Sequence, residues 1–149
     1  MFDTRDHPLS RRSLFAGAIA CAGLVLASAP RGAMAQTSPE ATTTRSTSDR
    51  GVTIKVTPKS IGTLDSRWEF TVVLDTHSAD LNDDLARSAT LATDEGRTFK
   101  PVSWEGAPPG GHHREGLLAF DVPAPRPGVI ELRIARLGEF APRIFRWQL

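Results

Sequence analysis

Hydrophobic and polar residues alternate in short runs from residue 52 onward. Val52, Ile54 and Val56 alternate with Thr53, Lys55 and Thr57, the two-residue period of a strand with one buried face. Trp68, Phe70, Val72 and Leu74 alternate with Glu69, Thr71 and Val73 over a longer run. Residues 88–93 read as a third strand and residues 97–104 as a fourth. Asp94-Glu95-Gly96 forms a tight turn between them, with glycine where positive φ is needed. Phe99 and Val102 are both core candidates but have opposite parity, which predicts a bulge near Pro101. Residues 116–122 make a fifth strand, apolar on both faces. Residues 129–135 make a sixth, with Ile130, Leu132 and Ile134 inward and Glu131 and Arg133 outward. Residues 143–149 make a seventh, with Phe145, Trp147 and Leu149 on one face. Only residues 81–87 suit a helical turn, on which Asp83 and Asp84 are expected to be solvated. Seven short strands in about 100 residues predict an all-β fold, a seven-stranded antiparallel immunoglobulin-like sandwich.

The chain ahead of this domain reads differently. Arg5, Arg11 and Arg12 precede an apolar stretch over residues 14–27, and Ala33-Met34-Ala35 is an A-x-A cleavage site. Residues 1–35 are therefore expected to be an export signal cut between Ala35 and Gln36. The apolar run is too short for a relaxed membrane span of about 20 residues. Ser10-Arg11-Arg12-Ser13-Leu14-Phe15 is similar to a twin-arginine motif, a receptor-read address. The destination is then the periplasm or the extracellular space. Residues 36–50, dominated by Thr and Ser, offer only Pro39 and Ala41 as apolar residues and are expected to be a disordered tether. The folded domain is residues 51–149.

Processing changes the charge and the available chemistry. The full chain is formally +1. Arg5, Arg11, Arg12 and Arg31 against Asp3 and Asp6 take two positive charges away with the signal, leaving the remainder at −1. A near-neutral domain argues against nucleic acid, which calls for a basic face. No stable membrane insertion is expected after cleavage. The only cysteine, Cys21, and both methionines fall within the signal. This excludes disulfides, blue-copper sites and Met-rich Cu(I) carriers from the mature protein.

Candidate chemistry lies in two loops. Successive strands of an antiparallel sandwich reverse direction, so alternate connections share an end. The loop over residues 75–80, the loop over 105–115 and the connection over 136–142 should then meet at one pole. This gathers His77, His112, His113, Asp75, Asp80 and Glu139. Imidazole with one or two carboxylates suits Zn²⁺ or Cu²⁺, with His77 as anchor, one of the adjacent His112 and His113 as second ligand, and Asp75 or Asp80 as third. The alternative is a metal-free module in which the same residues tie the loops or meet a protein partner. Asp75, Thr76 and Ser78 would bond backbone groups, Asp75 or Asp80 would accept from Arg114, and Trp104 would cover a histidine. Asp75, His77 and Ser78 are also the residue types of a hydrolase, but their near-adjacency is not triad geometry, so no catalytic residue is assigned.

The motifs L-D-T-H-S-A-D-L (74–81), P-V-S-W-E-G (101–106) and G-G-H-H-R-E-G (110–116) resemble those of an uncharacterised group of small exported bacterial and archaeal proteins. The match covers Asp75, Thr76, His77, Ser78, Asp80, Trp104, Gly110, Gly111, His112, His113, Arg114 and Gly116. The resemblance implies a fold and a compartment and carries no activity.

Overall fold

The computed structural model of the chain describes residues 39–62 and 64–149. The signal expected over residues 1–35 lies outside them. Among the described residues there are nine strands: β1 (Arg45–Asp49), β2 (Val52–Ser60), β3 (Arg67–Thr76), β4 (Ala89–Thr93), β5 (Thr98–Phe99), β6 (Ser103–Gly106), β7 (His113–Asp121), β8 (Val129–Ile134) and β9 (Arg143–Gln148). They form two sheets, β1-β2-β3-β7-β6 and β5-β4-β8-β9, and every pairing is antiparallel. Among the described residues, helix is confined to a short 3-10 segment (Pro39–Thr42) and one turn, α1 (Leu85–Ser88). No helix among these residues is long and apolar enough to cross a membrane.

The period-two runs bury the faces they should. Val52, Ile54 and Val56 of β2 and Trp68, Phe70, Val72 and Leu74 of β3 share one core with Ile130, Leu132 and Ile134 of β8 and Phe145 and Trp147 of β9. The core therefore draws on both sheets. Phe70 sits edge-on to Phe120 of β7 with ring centroids 5.8 Å apart, and its ring lies 5.6 Å from Trp147 of the other sheet. Such contacts add to the stabilisation from burial.

Two expectations are corrected. There are nine strands rather than seven, partly because the fourth run divides. Its first half, β5, pairs with β4 in one sheet, and its second half, β6, pairs with β7 in the other. Pro101 has no N–H for a ladder, and the chain changes sheets there rather than bulging within one. Val102 is left 43% exposed instead of in the core, while Phe99 packs against the core's edge. Lys100 anchors the crossing by donating from Nζ to the carbonyls of Arg87 and Ala89 at 3.1 and 3.3 Å.

The second correction concerns the Thr/Ser segment. Ala41 is 1% exposed, and β1 pairs with β2 from Arg45↔Val56 to Asp49↔Val52. Counting apolar side chains misses such a strand because it is held through its backbone. The Trp147 indole N–H donates to Thr43 O at 2.7 Å, and Arg143 Nη2 donates to Asp49 O at 2.8 Å.

Candidate functional site at the histidine pole

The reversal argument survives the division of the fourth run, because three residues join β5 to β6 with no hairpin between them. β3 runs out at Thr76 where β7 begins at His113, and Asp75 stands opposite His113 in the register. The two histidine-bearing loops are bonded backbone to backbone. Thr76 N–H donates to His112 O, Leu81 N–H to Gly111 O, and Gly110 N–H to Leu81 O, each at 2.9 Å. Gly110 and Gly111 have φ of 118° and 71°, a region that favours glycine, and this lets both meet Leu81. The Thr76 hydroxyl donates to Gly51 O at 3.0 Å and accepts from Ser78 N–H at 3.3 Å.

On this frame the histidines face outward. His113 Nδ1 lies 2.6 Å from Asp75 Oδ1, and its Nε2 lies 4.0 Å from Glu115 Oε2. His112 Nε2 is 3.9 Å from Asp80 Oδ1. The two imidazoles are 60% and 63% exposed, respectively. His77, His112, His113, Asp75, Thr76, Thr53 and Lys55 line one open hollow of about 440 Å³. Four of the five expected site residues thus share a hollow. Asp80 is the fifth, and it lines an adjoining hollow that includes Arg50 and Gly138. Among the described residues, no three His, Cys, Asp or Glu side chains stand together as a ready metal cage. Asp75 gives its carboxylate to His113 rather than to His77, so no relay through Asp75, His77 and Ser78 is formed.

Glu139 does not join the histidines. It accepts from Arg136 Nη1 at 3.2 Å and from Arg143 Nε and Nη2 at 2.9 and 2.5 Å. The hydrogen bonds from Arg143 hold its carboxyl below the ordinary value of 4.5. Asp83, expected to be solvated, is buried and takes Arg136 Nε and Nη2 at 2.9 and 2.8 Å. The sequence held no spacing signal for this pair, because its members lie 53 residues apart. Asp84 instead caps α1 by accepting from Arg87 N–H at 3.3 Å.

Arg114 lies beneath the pole, 1% exposed. Neither Asp75 nor Asp80 is its partner. Its guanidinium donates to Leu81 O at 3.1 Å, to Asp83 O at 2.6 Å and to Ala107 O at 3.1 Å. Burial pulls its pKa below the ordinary arginine value, against the opposing charges of Asp83 and Asp84. Trp104 covers Arg114, with the guanidinium 5.8 Å from the ring centroid. The same ring lies over the paired Gly106 and Gly116. A Cβ on Gly116 would come within 2.5 Å of Gly106 Cα and 2.8 Å of the Trp104 ring. The W-x-G and H-H-R-x-G spacings are therefore packing requirements of β6 and β7.

No family model, no curated protein and no solved structure matches the chain.

Proposed function

We propose that the protein is an exported recognition module, a sandwich of immunoglobulin type, that engages a protein partner through the histidine pole without needing a resident metal ion. The observation that carries this reading is the hollow shared by His77, His112 and His113, whose supporting loops are fixed backbone to backbone. A loop frame already fixed backbone to backbone has little main-chain freedom left to lose on binding, and sandwich scaffolds commonly bind at such an end. The immunoglobulin assignment is supported by strand order. Taking β2 as strand A, β2-β3-β7-β6 follows A-B-E-D and β5-β4-β8-β9 follows C′-C-F-G, with β1 as an added edge. Export rests on the basic, apolar and A-x-A sequence of the first residues.

Photo-crosslinking amino acids placed at His77 and at His112 test the reading, with Glu95 in the turn between β4 and β5 as the control. In the exporting cell's envelope, the pole positions give a discrete protein adduct and Glu95 gives none. No adduct at the pole, or equal adducts at all three sites, rejects it.

One observation favours a second reading, binding of Zn²⁺ or Cu²⁺. The Asp75 carboxylate holds His113 Nδ1, with Nε2 4.0 Å from the Glu115 carboxylate, and a carboxylate on one ring nitrogen is how a metal-bound imidazole is commonly oriented. Completing a site requires His77, His112 or Asp80 to move in. Metal analysis and thermal shift of tag-free protein separate the readings. About one equivalent of metal, lost in a His77→Ala/His112→Ala variant, establishes the metal reading, and no shift with either ion removes it.

A further inference from the structure

The connection from β8 to β9 holds its apolar residues out to solvent. Leu137 is 93% and Phe140 99% exposed, and Gly138, Ala141 and Pro142 are exposed with them. The one charged residue of residues 137–142, Glu139, turns inward, its side chain 6% exposed. Exposed apolar residues scattered singly are ordinary. Here every outward residue of one turn is apolar or glycine.

The turn is fixed from below. Glu139 N–H donates to Arg136 O at 3.2 Å, and Gly138 has φ of 82°, as the third position of a type II turn requires. Leu137 N–H donates to Asp83 Oδ1 at 3.4 Å. Gly138 O accepts from Arg50 Nη1 at 3.1 Å, and the same guanidinium lies 5.4 Å from the Phe140 ring centroid. Asp83, Arg136, Glu139 and Arg143 pair with one another beneath it. Buried charges are a costly way to hold a turn, and what they hold is a display of apolar side chains.

Positive charge stands beside the display. Ala135 and Pro142, at the two ends of the connection, line a hollow of about 280 Å³ together with Arg87, Lys100 and Arg133. No carboxylate lines it among the described residues. The Lys100 ammonium is met by two carbonyls and the Thr90 hydroxyl rather than by an acid. Arg87 has Asp84, and Arg133 shares the Glu131 carboxylate with Arg146. Four cations thus stand against two carboxylates, an excess of two positive charges next to the apolar turn.

We infer that residues 137–142 dock on the surface of a bilayer that contains anionic phospholipid. Leu137 and Phe140 enter the acyl boundary, and Arg87, Lys100 and Arg133 meet headgroup phosphates. Area decides between a bilayer and a protein for this tip. A buried aromatic side chain covers about 150–250 Å², so two side chains stay well short of the roughly 800 Å² per partner of a specific protein interface. A bilayer requires no matching surface. The contact is reversible and no stronger than that of a single myristoyl chain, about 10⁴ M⁻¹. It is not a span, and it does not rest on the histidine pole having a partner.

The test is co-sedimentation of the protein beginning at Gln36, which lacks the apolar stretch over residues 14–27, with vesicles of phosphatidylcholine alone or mixed with phosphatidylglycerol. Binding is expected to the mixed vesicles and to weaken in high salt. Phe140→Ser should lower it roughly tenfold, and Leu137→Ser/Phe140→Ser should abolish it. Arg87→Gln and Arg133→Gln should each cost roughly fivefold on the mixed vesicles. Leu64→Ser, a control that removes another side chain 97% exposed, should bind as the wild type does. Leu137 and Phe140 are too exposed for these changes to unfold the domain, and unchanged melting temperatures verify that. No binding to mixed vesicles, equal loss in Leu64→Ser, or full binding by the double variant overturns the inference. Self-association that needs Phe140 in the absence of vesicles overturns it too, by making a second copy the occupant.

Discussion

Arg114 shows how one residue organises a pole without touching solvent. Its charge is compensated by three carbonyls and an indole face rather than by a carboxylate in contact. Those carbonyls belong to Leu81, Asp83 and Ala107, which lie on both sides of the histidine loops. Arg114→Met keeps much of the volume but leaves Asp83 O without its donor, while Leu81 O keeps the Gly110 N–H and Ala107 O keeps the Trp104 indole. A buried unpaired group costs about 1–3 kcal/mol, so unfolding in urea should show a loss of that size. Arg114→Lys restores the charge but not the planar fork, and it should recover less than half of that loss. Glu139 makes a pH prediction. Its folded pKa is depressed, so its contribution is present above the ordinary value of 4.5 and is lost as pH falls through the lower folded value. The thermal midpoint of the wild type should therefore fall more steeply below about pH 4.5 than that of Glu139→Gln. Equal slopes would show that the Arg136–Glu139–Arg143 cluster does not couple to folding. The identity of these two residues could be read from the chain, but their partners could not. A carbonyl acceptor carries no residue-type signature, and Asp83 meets Arg136 only after the fold has formed.

At the scale of elements, alternation identified every strand whose one face is covered by the other sheet. Ile54, Phe70, Leu132 and Trp147 all lie where their parity puts them. It failed for the fourth run, whose halves serve different sheets, so that Phe99 packs against the core while Val102 is left exposed. It failed again for β1, whose Ser and Thr residues contribute a backbone ladder and no apolar face. The motif glycines belong to this scale too. Gly106 and Gly116 face each other across β6 and β7 under Trp104, and a methyl group on either would meet backbone within 2.6 Å. Backbone cannot yield as a flexible side chain can. Gly116→Ala should therefore cost about 1–3 kcal/mol, lower the melting temperature and broaden the amide resonances of β6 before those of β8. A variant as stable as the wild type would mean that the two strands can separate freely. This would remove the packing account of the W-E-G and R-E-G spacings.

Over the whole molecule, reversal of direction from strand to strand was enough to bring His77, His112 and His113 around one hollow, because direction is conserved even where a strand changes sheets. It was not enough to say which polar groups at that end pair with one another, since Glu139 and Asp83 are claimed by arginines from β9 and the preceding loop. The same bridging governs the segment before residue 51. Ala41 fills the core's margin, Thr43 O receives the Trp147 indole, and Asp49 O receives Arg143. Removing residues 36–50 would leave Trp147 N–H without its acceptor, unpair one edge of β2 and deprive the buried Arg143 of part of its shell. A freely disordered tether could be cut away at no cost. A folded edge strand could not, and with two buried donors affected the loss should be about 3 kcal/mol or more. Urea denaturation of proteins beginning at Gln36 and at Gly51 distinguishes the two cases. A lower midpoint in the shorter protein, with a smaller dependence on denaturant from the reduced buried surface, is the expected result. Coincident curves would return these residues to the status of a linker.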